Sequence, residues 1–171
     1  MKVLLPKQQL SITLHRLAHQ LAENHNDFRN AAIIGIQPRG VLLSDRIVAI
    51  LREITGPHIP YGKLDITFYR DDVRKGGTLH MPSENEINFS VEGRAVVLID
   101  DVLHTGRTIR AAMDALLDYG RPSRVELLTL IDRRFSREVP VQPDYVGQSI
   151  DTIMSQKVKV DWDLEQVVLV G

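Results

Sequence analysis

The sequence predicts an α/β fold: a parallel sheet flanked by helices, with a small β subdomain appended at the C-terminus. Two observations predict it. Between residues 11 and 131, short apolar runs alternate with segments of helical spacing, the order that builds strand–helix–strand units on a parallel sheet covered on both faces. After residue 131 the helical spacing stops and only short strand-like segments follow, at 144–147, 157–160 and 166–170. The chain has 171 residues and is 43% hydrophobic, enough for one sizeable core. No linker-like composition divides it, so residues 1–171 are expected to form a single domain.

The elements follow in order. Residues 11–25 place Leu14, Leu17, Ala18, Leu21 and Ala22 at helical spacing, with Ser11 positioned as an N-cap. Residues 31–36, AAIIGI, form a continuous apolar run and read as a buried strand. A helix is expected over 41–54, stopped by Gly56-Pro57. Alternation in LDITFY predicts a strand over 64–69. Residues 70–92 are polar, with Gly76, Gly77 and Pro82, and are long for a connection inside a compact domain, so this segment is expected to be functional or mobile. AVVLI at 95–99 is the clearest buried strand. A helix over 108–119 ends at Gly120, with Pro122 beyond, and RVELLTLI at 124–131 is the next strand.

Composition excludes several chemistries. There is no cysteine, which removes disulfides, thiolate catalysis and zinc–thiolate sites and suits a reducing compartment. A net charge of −1 argues against a whole-molecule polyanion binder and leaves a local basic face open. No apolar run is long enough for a membrane span or a signal h-region. A cytoplasmic protein is the expectation. His25, His58 and His80 have no metal-site spacing.

The chemistry is concentrated in VVLIDDVLHTGRT, residues 96–108. Four apolar residues bury a strand that ends in adjacent carboxylates, Asp100 and Asp101. A short loop, Thr105-Gly106-Arg107-Thr108, then opens a helix. Ligands of open α/β sheets bind beyond the carboxyl ends of the strands. A loop entering a helix offers free N–H groups and a favourable dipole to an anion. Gly106 permits close approach of the backbone, and the two threonines add hydroxyl donors. One loop thus combines acceptors for sugar hydroxyls with donors for a phosphate, as a ribose 5-phosphate requires. Gly35-Ile-Gln-Pro-Arg-Gly40 also lies between a strand and a helix. It reads as an anion site using backbone N–H groups and Arg39, or as a simple turn with a solvated arginine.

The 96–108 string resembles the phosphoribosyl pyrophosphate (PRPP) motif of type I phosphoribosyltransferases. That resemblance implies the type I phosphoribosyltransferase fold, with the C-terminal β segments as a hood. It implies that Asp100 and Asp101 hold the ribose 2- and 3-hydroxyls, while Thr105, Gly106, Arg107 and Thr108 wrap the 5-phosphate. The 35–40 segment resembles the family's pyrophosphate loop, with Pro38, Arg39 and Gly40 as the binding residues. DITFYRDD at 65–72 and the polar segment after it resemble the family's closing loop. Arg70, Arg74 and Lys75 either reach the pyrophosphate or form a solvated charge cluster. Together with GRPSRVELLTLIDRR and PDYVGQ, these strings resemble the PyrR proteins, pyrimidine operon regulators with uracil phosphoribosyltransferase activity.

The implied reaction joins uracil and PRPP to give UMP and pyrophosphate with Mg²⁺, a metal that keeps waters and substrate oxygens as ligands and needs few from the protein. Asp100, Asp101, His104 and Arg70 form the expected catalytic set. The base is expected near Ile131, Asp132 and Arg133 and the stretch from Tyr145 to Thr152. Three features depart from the family pattern. His104 stands where tyrosine is expected, and purine-using relatives carry an acid there; it reads as a proton carrier or as a solvent-facing loop residue. Gln37-Pro38 replaces a threonine-containing pair, and IDRRFSREVP is one residue longer than its counterpart.

The resemblance also implies messenger RNA as a partner and a homodimer or higher oligomer. Arg16, His19, Arg121, Arg124, Arg133, Arg134 and Arg137 are candidates for a basic RNA face, or arginines on ordinary solvated surfaces. Gln142, Gln148 and His15 replace residues expected in RNA-binding relatives. Two further readings stay open: a UMP- and PRPP-sensing RNA-binding attenuation protein with little catalysis, and a phosphoribosyltransferase for a purine base.

Overall fold

The computed structural model describes residues 1–70 and 85–171. Arg74, Lys75 and His80 lie outside the described residues, as does most of the predicted 70–92 segment. The main sheet has five parallel strands in the order β3(Tyr61–Leu64), β2(Ala31–Ile36), β4(Ala95–Leu103), β5(Arg124–Arg134), β6(Tyr145–Asp151). Helices α1(Lys7–His25), α2(Arg39–Thr55) and α3(Arg107–Leu116) accompany it. Apolar side chains of β2 and β4 alternate between two cores. Ile33, Val97 and Ile99 pack with α1 and α2, whereas Ile34, Val96 and Leu98 pack with α3. A sheet buried on both faces explains why these strands read as continuous apolar runs.

The hood is a separate antiparallel sheet in the order β1(Lys2–Leu5), β8(Gln166–Val170), β7(Lys157–Asp161). Leu5 and Val167 join the core beneath α1 and α2, and Arg46 of α2 lies 4.2 Å over the Trp162 ring. Two expectations are corrected here. The segment expected over 144–147 belongs to the main sheet as its edge strand β6, not to the appended subdomain. The hood instead recruits the N-terminal strand β1, whose single buried residue, Leu5, leaves little pattern to read. Arg16 of α1 donates to the Val146 and Gly147 carbonyls at 3.2 and 2.6 Å, so part of the exposed edge of β6 is capped by a side chain.

Local chemistry moves three boundaries. Helix α1 starts at Lys7, behind Pro6, so Ser11 lies within the helix; buried Leu10 extends the apolar stripe one turn earlier. The strand expected at 64–69 is Tyr61–Leu64, because the Asp65 carboxylate accepts from the Thr67 backbone N–H at 2.8 Å and its hydroxyl at 2.6 Å. That turn diverts the chain into a 3₁₀ segment, Thr67–Tyr69. Strand β4 runs past Ile99 to Leu103, carrying the two acids inside the sheet rather than beyond its end. Among the described residues no helix is long and apolar enough to cross a membrane.

Candidate active site at the carboxyl edge of the sheet

Asp100 and Asp101 are 9% and 6% exposed. The Asp101 backbone N–H donates to Asp100 Oδ1 at 3.0 Å, and the Val102 N–H donates to Asp101 Oδ1 at 2.8 Å. Burial pushes Asp100 up to about 8, the Asp101 charge adds to this, and Arg39 opposes it. Burial also raises Asp101, against the pull of Arg39. Two adjacent carboxylates in a desolvated place hold a proton that isolated acids would have lost.

This has a stability consequence. In the unfolded chain an aspartate ionises near 3.9, while folded Asp100 keeps its proton to about 8. The unfolded state therefore binds fewer protons through that window. The contribution is fully present below about 4 and is lost as pH rises towards 8. Thermal melts from pH 5 to 8 should show a steeper fall in Tm for the wild type than for Asp100→Asn. Parallel curves would mean that Asp100 carries no extra proton in the folded state.

The β2–α2 turn abuts this pair. A Cβ built on Gly40 would lie 2.3 Å from the Ile99 carbonyl oxygen and 3.1 Å from Asp100 Cα. Only glycine lets the turn lie against the strand, and the close approach brings Pro38 and Arg39, both exposed, to the edge of the diacid. Neither N-cap residue, Pro38 of α2 or Gly106 of α3, supplies a side-chain cap, and the Thr105 hydroxyl accepts from the Arg107 N–H of α3 at 3.3 Å. The N-termini of α2 and α3, with dipoles that favour an anion, thus flank the acids at one edge of the sheet.

On the other side, Gly106 adopts φ +91°, which favours glycine, and turns the chain into α3. The loop before it is braced by a segment that sequence reasoning did not connect with it. The Glu138 and Val139 N–H groups donate to the Thr105 carbonyl at 2.9 and 3.1 Å. Arg137 Nη1 donates to the His104 carbonyl at 2.6 Å, and Arg107 Nε donates to Glu138 Oε2 at 2.5 Å. The lengthened 132–138 segment is therefore the outer wall of the 104–107 loop. Arg137 also donates to the Arg133 and Val141 carbonyls and pairs with Asp132, so this half-buried side chain is committed inward.

Ile131, Asp132 and Arg133 lie at the carboxyl end of β5 and are buried. The Arg133 guanidinium fastens the connection between β6 and β7: Nε donates to Thr152 Oγ1 at 2.9 Å, and Nη2 to the Ile153 and Gln156 carbonyls at 3.3 and 3.0 Å. His104 follows β4 directly. Its pKa is lowered, first by burial and then by the Arg133 and Arg137 charges, with Glu138 opposing. Arg70 is exposed at the end of the 67–69 turn.

Other predicted residues are not brought together. Tyr145 is buried and turns towards α1, where its hydroxyl meets Glu126 Oε1 at 3.1 Å and the Asn24 side chain at 2.8 Å. Arg121 and Arg124 sit at the amino end of β5, opposite Arg133 at its carboxyl end. His19 is exposed on α1, and Arg134 pairs with Asp151 at 2.9 Å. Cavities of about 350 and 510 Å³ lie beside the 67–69 turn and at the amino ends of the strands; neither is lined by the diacid. The chemistry instead converges on the open carboxyl edge.

Residues 2–165 match the family model described as phosphoribosyl transferase domain. A protein of Thermus thermophilus named bifunctional protein PyrR is 46% identical over 147 residues, spanning 86% of this chain and 81% of that protein. Another of the same name, from Chloroflexus aurantiacus, is 42% identical over 159 residues, spanning 93% of this chain and 87% of that protein. Among solved structures, a hypoxanthine phosphoribosyltransferase of Trypanosoma cruzi in a ternary substrates complex superposes with TM-score 0.78 at 19% identity, over 100% of this chain and 95% of that one. One from Staphylococcus aureus gives 0.68 at 21% identity, over 88% and 78%. At these identities the structures establish the shared fold.

Proposed function

The chain belongs to the phosphoribosyl transferase domain family, with the PyrR proteins among its relatives, and from that premise we propose that it transfers the phosphoribosyl group of PRPP to uracil, giving UMP and pyrophosphate. The observation that carries this reading is the buried Asp100–Asp101 pair set between the N-termini of α2 and α3. A diphosphate sugar has that polarity: neutral hydroxyls in the middle and an anion at each end.

The carboxylates of Asp100 and Asp101 accept hydrogen bonds from the ribose hydroxyls. Thr105, Gly106, Arg107 and Thr108 hold the 5-phosphate through backbone N–H groups, hydroxyls and the α3 dipole. Pro38, Arg39 and Gly40 cradle the pyrophosphate at the start of α2, and Arg70 approaches it from the 67–69 turn. During transfer the C1′–O bond to pyrophosphate breaks as the bond to uracil N1 forms, and the N1 proton leaves to the departing pyrophosphate or to solvent. Positive charge develops on the sugar beside the diacid, and negative charge on the leaving group beside Arg39. Ile131, Asp132 and Arg133 form the base side of the cleft.

No group of three or more His, Cys, Asp or Glu able to hold a metal occurs among the described residues. The paired carboxylates of Asp100 and Asp101 suit a Mg²⁺ ion that would be held mainly by substrate oxygens and water. The bound ion would supply charge neutralisation for pyrophosphate. The protein acts in the cytoplasm as a homodimer or higher oligomer. Regulation of pyrimidine genes through messenger RNA belongs to the same reading, with exposed His19 and the outer face of α1 on the RNA side.

The test is product formation from PRPP and Mg²⁺ with uracil, orotate, hypoxanthine, guanine and xanthine in parallel. UMP from uracil, with at most traces from the other bases, is expected. Product from a purine alone would overturn the choice of base, and no product from any base would overturn the enzyme.

A further inference from the structure

The loop between β4 and α3 is held from outside itself. The Thr105 carbonyl accepts from the Glu138 and Val139 N–H groups at 2.9 and 3.1 Å, and the His104 carbonyl accepts from Arg137 Nη1 at 2.6 Å. The same wall presses on the turn into α3: a Cβ built on Gly106 would lie 3.2 Å from the Val139 carbonyl oxygen and 3.3 Å from Val141 Cγ2. The places of the Thr105–Thr108 N–H groups are therefore only as definite as the wall. Yet residues 136–141 form neither helix nor strand, so no ladder of backbone bonds fixes them. They follow Phe135, whose φ of +63° marks the end of the β5 run.

The Arg137 guanidinium supplies the missing frame. Nε donates to the Val141 carbonyl at 2.9 Å, Nη1 donates to the Arg133 carbonyl at 3.1 Å as well as to His104, and Nη2 pairs with the Asp132 carboxylate. One planar group thus ties the end of β5, the far end of the wall and the start of the phosphate loop. The Arg137 and Asp132 side chains are only 23% and 12% exposed, so little water competes for these bonds, and charge-assisted bonds in such a place are strong and directional. Asp132 faces Leu103 across the β4–β5 ladder, one residue before His104. The anchor therefore belongs to the sheet that carries the diacid. A guanidinium fork can serve these directions at once, whereas an ammonium is a point charge on a flexible stem.

We propose that Arg137 is a positioning residue for phosphoribosyl binding, fixing the 104–107 loop relative to Asp100 and Asp101 without touching substrate. The inference rests on the phosphoribosyl transfer reading and deepens it. The ribose hydroxyls and the 5-phosphate belong to one short, covalently joined unit, so a loop displaced from the diacid satisfies one end at the expense of the other. The Pro38–Gly40 turn is placed by its own packing on Ile99, on the other side of the diacid, and does not depend on Arg137.

Calorimetric titration of ribose 5-phosphate and of magnesium pyrophosphate into the wild type, Arg137→Lys and Arg137→Gln tests this without requiring turnover. Lysine keeps the positive charge beside Asp132 and loses the fork, so a loss in that variant reports geometry rather than charge. Glutamine leaves the buried carboxylate without a cation, which is strongly destabilising; if it does not fold, Arg137→Lys carries the test alone. Arg137→Lys should bind ribose 5-phosphate about tenfold more weakly, a loss of about 1.4 kcal/mol. Its pyrophosphate affinity should be unchanged, and folded Arg137→Gln should lose at least as much for ribose 5-phosphate. Equal ribose 5-phosphate affinity in the wild type and Arg137→Lys would overturn the inference while leaving the transfer reading intact. So would a parallel loss for both ligands, which marks a general loosening of the fold. Failure of the wild type to bind ribose 5-phosphate would overturn the transfer reading, and this inference with it.

Discussion

Asp101→Asn is expected to lower kcat/KM for UMP formation by roughly 10²–10³-fold, the scale seen when one preorganised polar group at a transition state is removed. The fold should survive, because asparagine matches aspartate in shape and Asp101 is already held by the Val102 N–H at 2.8 Å, a bond that an amide oxygen also accepts. The change removes the negative charge facing the developing sugar cation and one acceptor for a ribose hydroxyl. Asp100→Asn should act in the same direction. Near pH 7 it should leave the melting temperature equal or higher, since it replaces an acid that burial already keeps protonated. Turnover and thermal melts measured on the same samples check both halves. A variant that melts normally and turns over normally would remove the diacid from the mechanism.

Gly40→Ala is expected to cost about 10²-fold in kcat/KM, the penalty for displacing a positioning group by about an ångström. The added methyl would meet the Ile99 carbonyl oxygen at 2.3 Å. Both partners there are backbone, so neither yields without moving the turn or the strand. Overpacking of this kind costs about 1–3 kcal/mol, which at this chain length lowers Tm by roughly 2–4 °C per kcal/mol. The displaced turn carries Pro38 and Arg39, so pyrophosphate affinity should fall further than ribose 5-phosphate affinity. Equal affinity for pyrophosphate in the wild type and the variant would show that the Pro38–Gly40 turn does not bind it.

These residues were legible in the sequence because their chemistry is local. A buried apolar run, two acids, a glycine and a helix follow one another within 96–108, and the rule that parallel strands present ligands at their carboxyl ends supplies the rest. The structure adds what spacing alone does not carry. The pairing of Glu138 and Val139 with Thr105 joins segments more than thirty residues apart. No periodicity signals such a contact. Arg137, read from sequence as a candidate for an RNA face, instead spends its guanidinium on neighbouring carbonyls and Asp132.

Differences between the sequence reading and the elements have equally particular causes. The alternation in LDITFY has the strand period, yet the Asp65 side chain captures the Thr67 N–H and turns the chain. Strand β1 has four residues and one buried side chain, too little for any pattern. The 144–147 segment resembles its hood neighbours in length, and only its parallel pairing with β5 assigns it to the main sheet.

Titration of PRPP with Mg²⁺ into the wild type and Asp101→Asn, followed by calorimetry, tests the diacid cleft most directly. The wild type should bind one PRPP per chain, with proton release near neutral pH as the buried pair ionises against its ligand, and the variant should bind at least tenfold more weakly. Equal PRPP affinity in the two proteins would contradict the placement of the ribose on Asp100 and Asp101.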